Sequence, residues 1–149
     1  MDKQVIWILD DNDMMADFLG IFLSSRYEVK TFLAPKNAAM EMSFGHRPDL
    51  LISDLEMPDW HGLEFIRFAK KMSPGLPVIA LSGIKESRYR IDALAAGADD
   101  FLAKPFHPAE LSLRVGKLLK SKISSPEATQ PAQPYRWKIF NRKAQLAGV

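Results

Sequence analysis

Short runs of apolar residues alternate along the chain with longer segments in which apolar residues recur every three or four positions. Continuous runs are typical of strands buried on both faces of a parallel sheet, and the wider spacing is typical of helices with one apolar face. The pattern predicts strands at 5–9, 27–32, 50–53, 78–81 and 100–103. It predicts helices at about 14–23, 35–44, 63–72, 86–96 and 108–122. In the first helix a broad apolar stripe comprises Met14, Met15, Phe18, Leu19, Phe22 and Leu23.

Five successive β–α units predict an α/β fold of the (βα)5 type. The expected architecture is a doubly wound, flavodoxin-like, five-stranded parallel sheet with helices on both faces. In such sheets, chemistry takes place beyond the carboxyl ends of the strands. The polar residues that follow each strand are therefore the first candidates for a functional site.

Composition removes several classes of function. The chain has no cysteine, which excludes disulfides, thiolate metal sites and cysteine nucleophiles. No apolar run approaches the roughly 20 residues that cross a bilayer. The first apolar run, 5–9, is too short for a signal peptide and is followed at once by acids. We expect a cytoplasmic protein without a membrane partner.

The net charge of +2 is unevenly distributed. Residues 135–149 hold four of the 20 basic residues and no acid, so residues 1–134 carry 16 basic and 18 acidic residues, a net charge of −2. The main body therefore lacks the basic surface typical of a nucleic-acid-binding domain.

The chain divides into three parts. Residues 1–123 contain all the predicted strands and helices and form the predicted domain. Residues 124–134 contain three prolines and no large apolar residue, which predicts an extended linker. Residues 135–149 alternate again between apolar and polar positions, which indicates the beginning of a further domain.

Polar residues follow four of the predicted strands. Asp10 and Asp11 follow the first, Asp54 the third, Ser82 the fourth and Lys104 the fifth. Three crowded carboxylates repel one another unless a cation neutralises them, and a set of oxygen ligands suits Mg²⁺. A carboxylate beside Mg²⁺ can attack a phosphoryl group, whose charge a lysine and a hydroxyl would then help to balance.

These residues lie in motifs that resemble the receiver domains of two-component signalling. The resemblance covers roughly residues 3–122 in the order and spacing of that family. It is carried by Leu9-Asp10-Asp11, Asp54-Leu55-Glu56-Met57-Pro58 with Gly62, Ser82-Gly83, and the stretch 97–106 that contains Lys104-Pro105-Phe106.

The resemblance implies a phosphoacceptor and a metal site. Asp54 would accept a phosphoryl group from a phosphohistidine of a sensor histidine kinase. Asp11 and Asp54 would bind Mg²⁺ directly, the backbone carbonyl of Glu56 would be a third ligand, and Asp10 would act through water. Lys104, ahead of a cis Pro105, would pair with the phosphoryl oxygens.

The resemblance also implies a switch. Ser82 would swing to hydrogen-bond the phosphate, and Phe101 would turn inward behind it, so that a local change of charge biases a two-state element. The chain would catalyse its own phosphorylation and dephosphorylation but would not be a metabolic enzyme.

One receiver subclass resembles this chain in its last elements. Winged-helix (OmpR-type) regulators dimerise on phosphorylation through the fourth helix, fifth strand and fifth helix. Their charged interface residues resemble Arg90, Asp99, Asp100, Glu110 and Arg114. By this analogy Arg90 would pair with Glu110, and Asp100 with Arg114, across a two-fold axis.

The segment 135–149 resembles the opening β-hairpin of a winged-helix DNA-binding domain. It ends before the helices that enter a major groove, so we expect the effector domain to be truncated here. DNA binding and transcription regulation would therefore belong to the full-length protein.

Three other functions remain open from the residues alone. A phosphohydrolase of the haloacid-dehalogenase type would use Asp11-Asn12-Asp13 after the first strand, although Met15 stands where that family has threonine. The chain could also be an interaction module without DNA-binding output, or a receiver that no longer takes phosphate. Modification of Asp11 rather than Asp54 would distinguish the phosphohydrolase from a receiver domain.

Overall fold

The computed structural model describes residues 2–58 and 60–124. The segment 125–149, which holds nearly all of the predicted linker and the predicted effector, lies outside the described residues. The elements in chain order are β1 (Val5–Leu9), α1 (Asp13–Ser24), β2 (Glu28–Phe32), α2 (Pro35–Ser43), β3 (Leu50–Asp54), α3 (Gly62–Met72), β4 (Val78–Ser82), α4 (Ser87–Ala96), β5 (Asp100–Ala103) and α5 (Pro108–Ser124).

The five strands form one parallel sheet in the order β2-β1-β3-β4-β5. This order confirms the predicted doubly wound α/β fold. The chain moves outward from β1 to β2 and then returns past β1 to β3, so the winding reverses between β1 and β3. A crevice at such a switch point, beyond the carboxyl ends of the strands, is where ligands bind in these folds.

Two separate apolar cores lie on the two faces of the sheet. Alternate residues of β1 enter different cores: Ile6 and Ile8 pack on one face, and Trp7 and Leu9 pack on the other. The first core is covered by α1 and α5, and the second by α2, α3 and α4. A strand covered on both faces has no solvent side, which explains its continuous apolar run.

The broad apolar stripe of α1 is only partly buried. Leu19 and Leu23 lie in the core, but Met14 is 83% exposed and Phe18 is 50% exposed. One side of α1 packs against the sheet and α5, whereas the stripe extends beyond that contact. The six apolar positions therefore overstate the buried face of this helix.

Two strands extend one residue further than the sequence pattern predicts. Asp54 is the last residue of β3 and Ser82 is the last residue of β4. Both candidate site residues are thus held by the sheet ladder itself. Among residues 2–58 and 60–124, no helix combines the length and apolar character needed to cross a bilayer.

Helix α4 ends at a glycine in the left-handed region. Gly97 has φ +116°, and a Cβ there would lie 2.9 Å from Cγ of Lys70. Gly97→Ala is therefore expected to lower the free energy of unfolding by about 1–2 kcal/mol, measured by urea denaturation. The matched control is Gly116→Ala inside α5, where a Cβ meets nothing within 4 Å and should cost no stability. Equal losses in both variants would contradict this explanation.

Candidate functional site

Three carboxylates meet at the carboxyl ends of the neighbouring strands β1 and β3. Asp10, Asp11 and Asp54 each offer one oxygen, and these atoms lie within 4.8 Å of one another. Asp10 and Asp54 are buried, whereas Asp11 is exposed. Hard oxygen donors open to solvent on one side fit a Mg²⁺ ion that keeps several waters. The structure thus brings together the three side chains predicted as a metal site.

Buried polar side chains are rare in this domain and concentrate at this edge. In the part of the chain that the structure describes, they are Asp10, Ser53, Asp54 and Ser82. Burying a polar group costs free energy unless it is paired, so such a concentration needs a reason beyond packing. Three of the four are residues that the sequence assigned to the site.

Lys104 joins the carboxylates from the far side of β4. Its Nζ lies 3.1 Å from Oδ2 of Asp10 and 3.3 Å from Oδ2 of Asp54. Its backbone amide donates a hydrogen bond of 2.7 Å to the carbonyl of Ser82, and its peptide bond to Pro105 is cis, as predicted. One ammonium group is thereby held against two carboxylates.

The electrostatics of the site favour added positive charge. Burial raises the pKa of Asp54 to about 6; a hydrogen bond from the amide of Glu56 works against this rise, and the charge of Asp10 adds to it. Burial also acts to lower the pKa of Lys104, but the carboxylates of Asp10 and Asp54 outweigh it and the net shift is upward. Lys104 therefore stays charged, whereas the negative charge of ionised Asp54 is only partly neutralised by its surroundings.

Asp10 also links the site to the first helix. Its Oδ1 accepts a hydrogen bond of 2.9 Å from the amide of Asn12, whose own side chain accepts one of 3.1 Å from the amide of Met15. Asn12 is thus the N-cap of α1, a role for which asparagine is well suited. The acidic stretch after β1 serves both helix capping and the carboxylate cluster.

The side chain of Glu56 makes contacts that sequence reasoning missed. Its Oε1 accepts hydrogen bonds from Oγ of Ser82 at 3.3 Å and from the amide of Gly83 at 3.0 Å. The resemblance assigned the backbone carbonyl of Glu56 to the metal site, and that role stays a prediction. The one available signal was a carboxylate placed two residues after Asp54.

Two aromatic residues near the predicted site in sequence, Phe101 and Trp60, pack in the same apolar core. Phe101 is 8% exposed and lies in the core under α3 and α4, so its ring is inward, while its predicted rotation stays a prediction. Trp60 packs with ring-centroid distances of 5.4 Å against both Phe65 and Phe68. The indole is thereby fixed beside α3.

The predicted dimer residues are largely paired within the chain. Arg114 Nη1 lies 2.8 Å from both carboxylate oxygens of Asp100, and its Nη2 lies 2.9 Å from Glu110. Asp99 accepts hydrogen bonds from Lys70 at 2.7 Å and from the amide of residue 78 at 2.8 Å. Arg90 is exposed on α4. Exchange of these partners across a two-fold axis stays a prediction.

The amino-acid sequence resembles known transcriptional regulators over almost its whole length. The chain is 30% identical to the transcriptional regulatory protein CreB of Escherichia coli over 92% of its own length. It is 33% identical to the transcriptional regulatory protein PrrA of Mycobacterium tuberculosis over 98% of its own length. The chain spans 65% of CreB and 64% of PrrA, so it matches just under two thirds of each relative.

Among solved structures, the BeF3-activated receiver domain of DrrB is similar, with a TM-score of 0.75 and 28% identity. The similarity covers 79% of this chain and 98% of that receiver domain. A solved structure of DrrB from Thermotoga maritima is described as an OmpR/PhoB homologue. Residues 6–116 match the family described as the response regulator receiver domain. Since that match includes four strands, all of β1 except its first residue, and every residue of the carboxylate site, the chain belongs to the receiver domain family of response regulators.

Proposed function

We propose that this receiver domain accepts a phosphoryl group on Asp54 from a phosphohistidine of a sensor histidine kinase, in a Mg²⁺-dependent reaction. The observation that carries the proposal is the pairing of buried Asp54 with the ammonium of Lys104 at 3.3 Å, inside a cluster of three carboxylates. A lone buried carboxylate would only cost stability, whereas this arrangement is suited to exchange of charged groups.

The transfer uses the residues in distinct roles. An ionised oxygen of Asp54 attacks phosphorus, the phosphorus–nitrogen bond breaks, and its electron pair returns to the imidazole ring, leaving an acyl phosphate on Asp54. Lys104 balances the charge of the phosphoryl oxygens, and Asp10 holds Lys104 in place. Asp11, Asp54 and the carbonyl of Glu56 would hold Mg²⁺, which supplies further positive charge next to the phosphoryl group.

The phosphoryl group then changes the output. In this proposal Ser82 turns to hydrogen-bond the phosphate and Phe101 responds, which alters the surface of α4, β5 and α5 and promotes a homodimer. The two relatives are named as transcriptional regulatory proteins, which supports a transcriptional output in the full-length protein. The domain is thus a switch rather than a metabolic enzyme.

The test is phosphorylation by a small donor. Incubation with Mg²⁺ and acetyl phosphate is expected to add one phosphoryl group, read as the intact mass. Asp54→Asn should abolish the gain because an amide is not a nucleophile for this step, and EDTA should suppress it in the wild type. A gain that survives in Asp54→Asn would assign the nucleophile to Asp11 instead. No gain despite Mg²⁺ binding would identify a domain that acts by docking.

A further inference from the structure

The side chain of Glu56 connects the loop after β3 to the loop after β4. Its Oε1 accepts hydrogen bonds from Ser82 Oγ at 3.3 Å and Gly83 N at 3.0 Å, and its Oε2 lies 3.1 Å from Gly83 N. A Cβ on residue 83 would lie 3.3 Å from Glu56 Oε1, so glycine at this position leaves room for the carboxylate. The contact therefore depends on a glutamate at position 56 and on a glycine at position 83.

The two donors that Glu56 occupies lie at the edge of the sheet that carries Asp54. Strands β3 and β4 are paired in register, and Ser82 ends β4 one residue beyond the partner of Asp54. A hydroxyl and an amide each have one proton to donate. While both protons are hydrogen-bonded to Glu56, they are not available to another anion at the site.

We infer that the Glu56 carboxylate is an internal anion that holds Ser82 and Gly83 in the unphosphorylated chain and must leave before a phosphoryl group on Asp54 can take those donors. This inference rests on the proposed function. Two anions cannot share the same two protons, so the two occupants are mutually exclusive.

The exchange has a modest cost because Glu56 is exposed and can return to water. Hydrogen bonds to a charged acceptor contribute more than neutral ones, but much less when water competes for the acceptor. Glu56 thus acts as a positioning residue that slows phosphorylation and keeps the loop after β4 in one arrangement until the phosphoryl group arrives.

The contact itself is tested without any phosphoryl donor. In ¹H–¹⁵N spectra, the amide proton of Gly83 is expected to move upfield and to exchange with solvent faster in Glu56→Ala than in the wild type, because its charged acceptor is gone. Glu28→Gln is the matched control: it removes an acid at the start of β2, at the opposite end of the sheet, and should leave Gly83 unchanged. An unchanged Gly83 signal in Glu56→Ala would overturn the inference.

The consequence is tested by the initial rate of phosphorylation with acetyl phosphate and saturating Mg²⁺. Glu56→Ala is expected to react about three- to tenfold faster, which corresponds to the loss of one charge-assisted hydrogen bond. Glu56→Asp keeps the charge but is shorter by roughly 1.5 Å, so it should lose the contact and also react faster. Glu28→Gln should match the wild type.

Acceleration in Glu56→Ala alone would assign the effect to charge repulsion of the donor, and no acceleration in either variant would likewise overturn the inference. Mg²⁺ affinity is measured for each variant, because the backbone carbonyl of residue 56 is a predicted ligand. If even the wild type takes no phosphoryl group, the proposed function fails, while the spectra of Gly83 still decide whether Glu56 holds the loop.

Discussion

Gly62→Ala is expected to be strongly destabilising, with a loss of about 3 kcal/mol or more in the free energy of unfolding. A Cβ on residue 62 would lie 2.4 Å from Cα of Leu55, 2.8 Å from the carbonyl oxygen of Leu55 and 2.9 Å from that of Asp54. All three atoms belong to the backbone, so no side chain can rotate away to make room.

The loss also bears on the site, because Gly62 begins α3 and its amide donates a hydrogen bond of 3.3 Å to the carbonyl of Leu55. The close approach closes the loop that follows Asp54. Urea denaturation of the variant measures the effect, with Gly75→Ala as control, since a Cβ on residue 75 meets nothing within 4 Å. Equal urea midpoints for Gly62→Ala and Gly75→Ala would contradict this prediction. They would mean that the loop after Asp54 makes room for the Cβ without loss of stability.

In the metal-free protein, Asp54→Asn is expected to raise the free energy of unfolding at pH 8 by roughly 3 kcal/mol. The ordinary pKa of the carboxyl is 3.8, and burial raises the pKa of Asp54 to about 6 in the folded chain. Below pH 3.8 both states hold the proton and Asp54 contributes no difference. Between pH 3.8 and about 6 the unfolded chain releases its proton first, so the folded state loses stability as the pH rises. Above pH 6 the full cost of the buried charge remains.

Urea denaturation in EDTA from pH 4 to pH 8 tests this expectation. The extra stability of Asp54→Asn over the wild type should be nearly absent at pH 4 and should increase as the pH rises to 8. Asp17→Asn, on the exposed side of α1, should stay within about 0.5 kcal/mol of the wild type throughout. Added Mg²⁺ should stabilise the wild type and have little effect on Asp54→Asn, because a ligand stabilises the state that binds it. A variant less stable than the wild type at pH 8 would contradict the assignment of burial as the dominant effect.

The sequence predicted the fold and the carboxylate cluster because both follow from short-range rules. A strand covered on both faces reads as a continuous apolar run, and the carboxyl ends of parallel strands share one edge. Asp10, Asp54 and Lys104 were therefore expected together, although they are far apart in the chain, and the structure places them within hydrogen-bonding distance.

Other features depend on tertiary geometry that no local pattern contains. The apolar stripe of α1 does not show where the neighbouring elements end, so the sequence alone does not separate its buried residues from its exposed ones. The reach of Glu56 to Ser82 and Gly83 depends on the spacing between two loops. The pairing of Asp100 with Arg114 inside one chain was likewise not foreseen, because the family analogy assigned the same residues to a contact between two chains.

Lys104 extends from β5 across the end of β4 to reach Asp10 and Asp54. One side chain therefore links the edge strand β5 to residues at the ends of the central strands β1 and β3. Thermodynamic linkage then works in both directions: whatever free energy a charge on Asp54 transmits to the β5 edge, a ligand bound at that edge transmits back to Asp54. A ligand bound at the β5 edge would change the affinity of the three carboxylates for a cation by some factor. Binding of the cation would change the affinity of the edge for that ligand by the same factor.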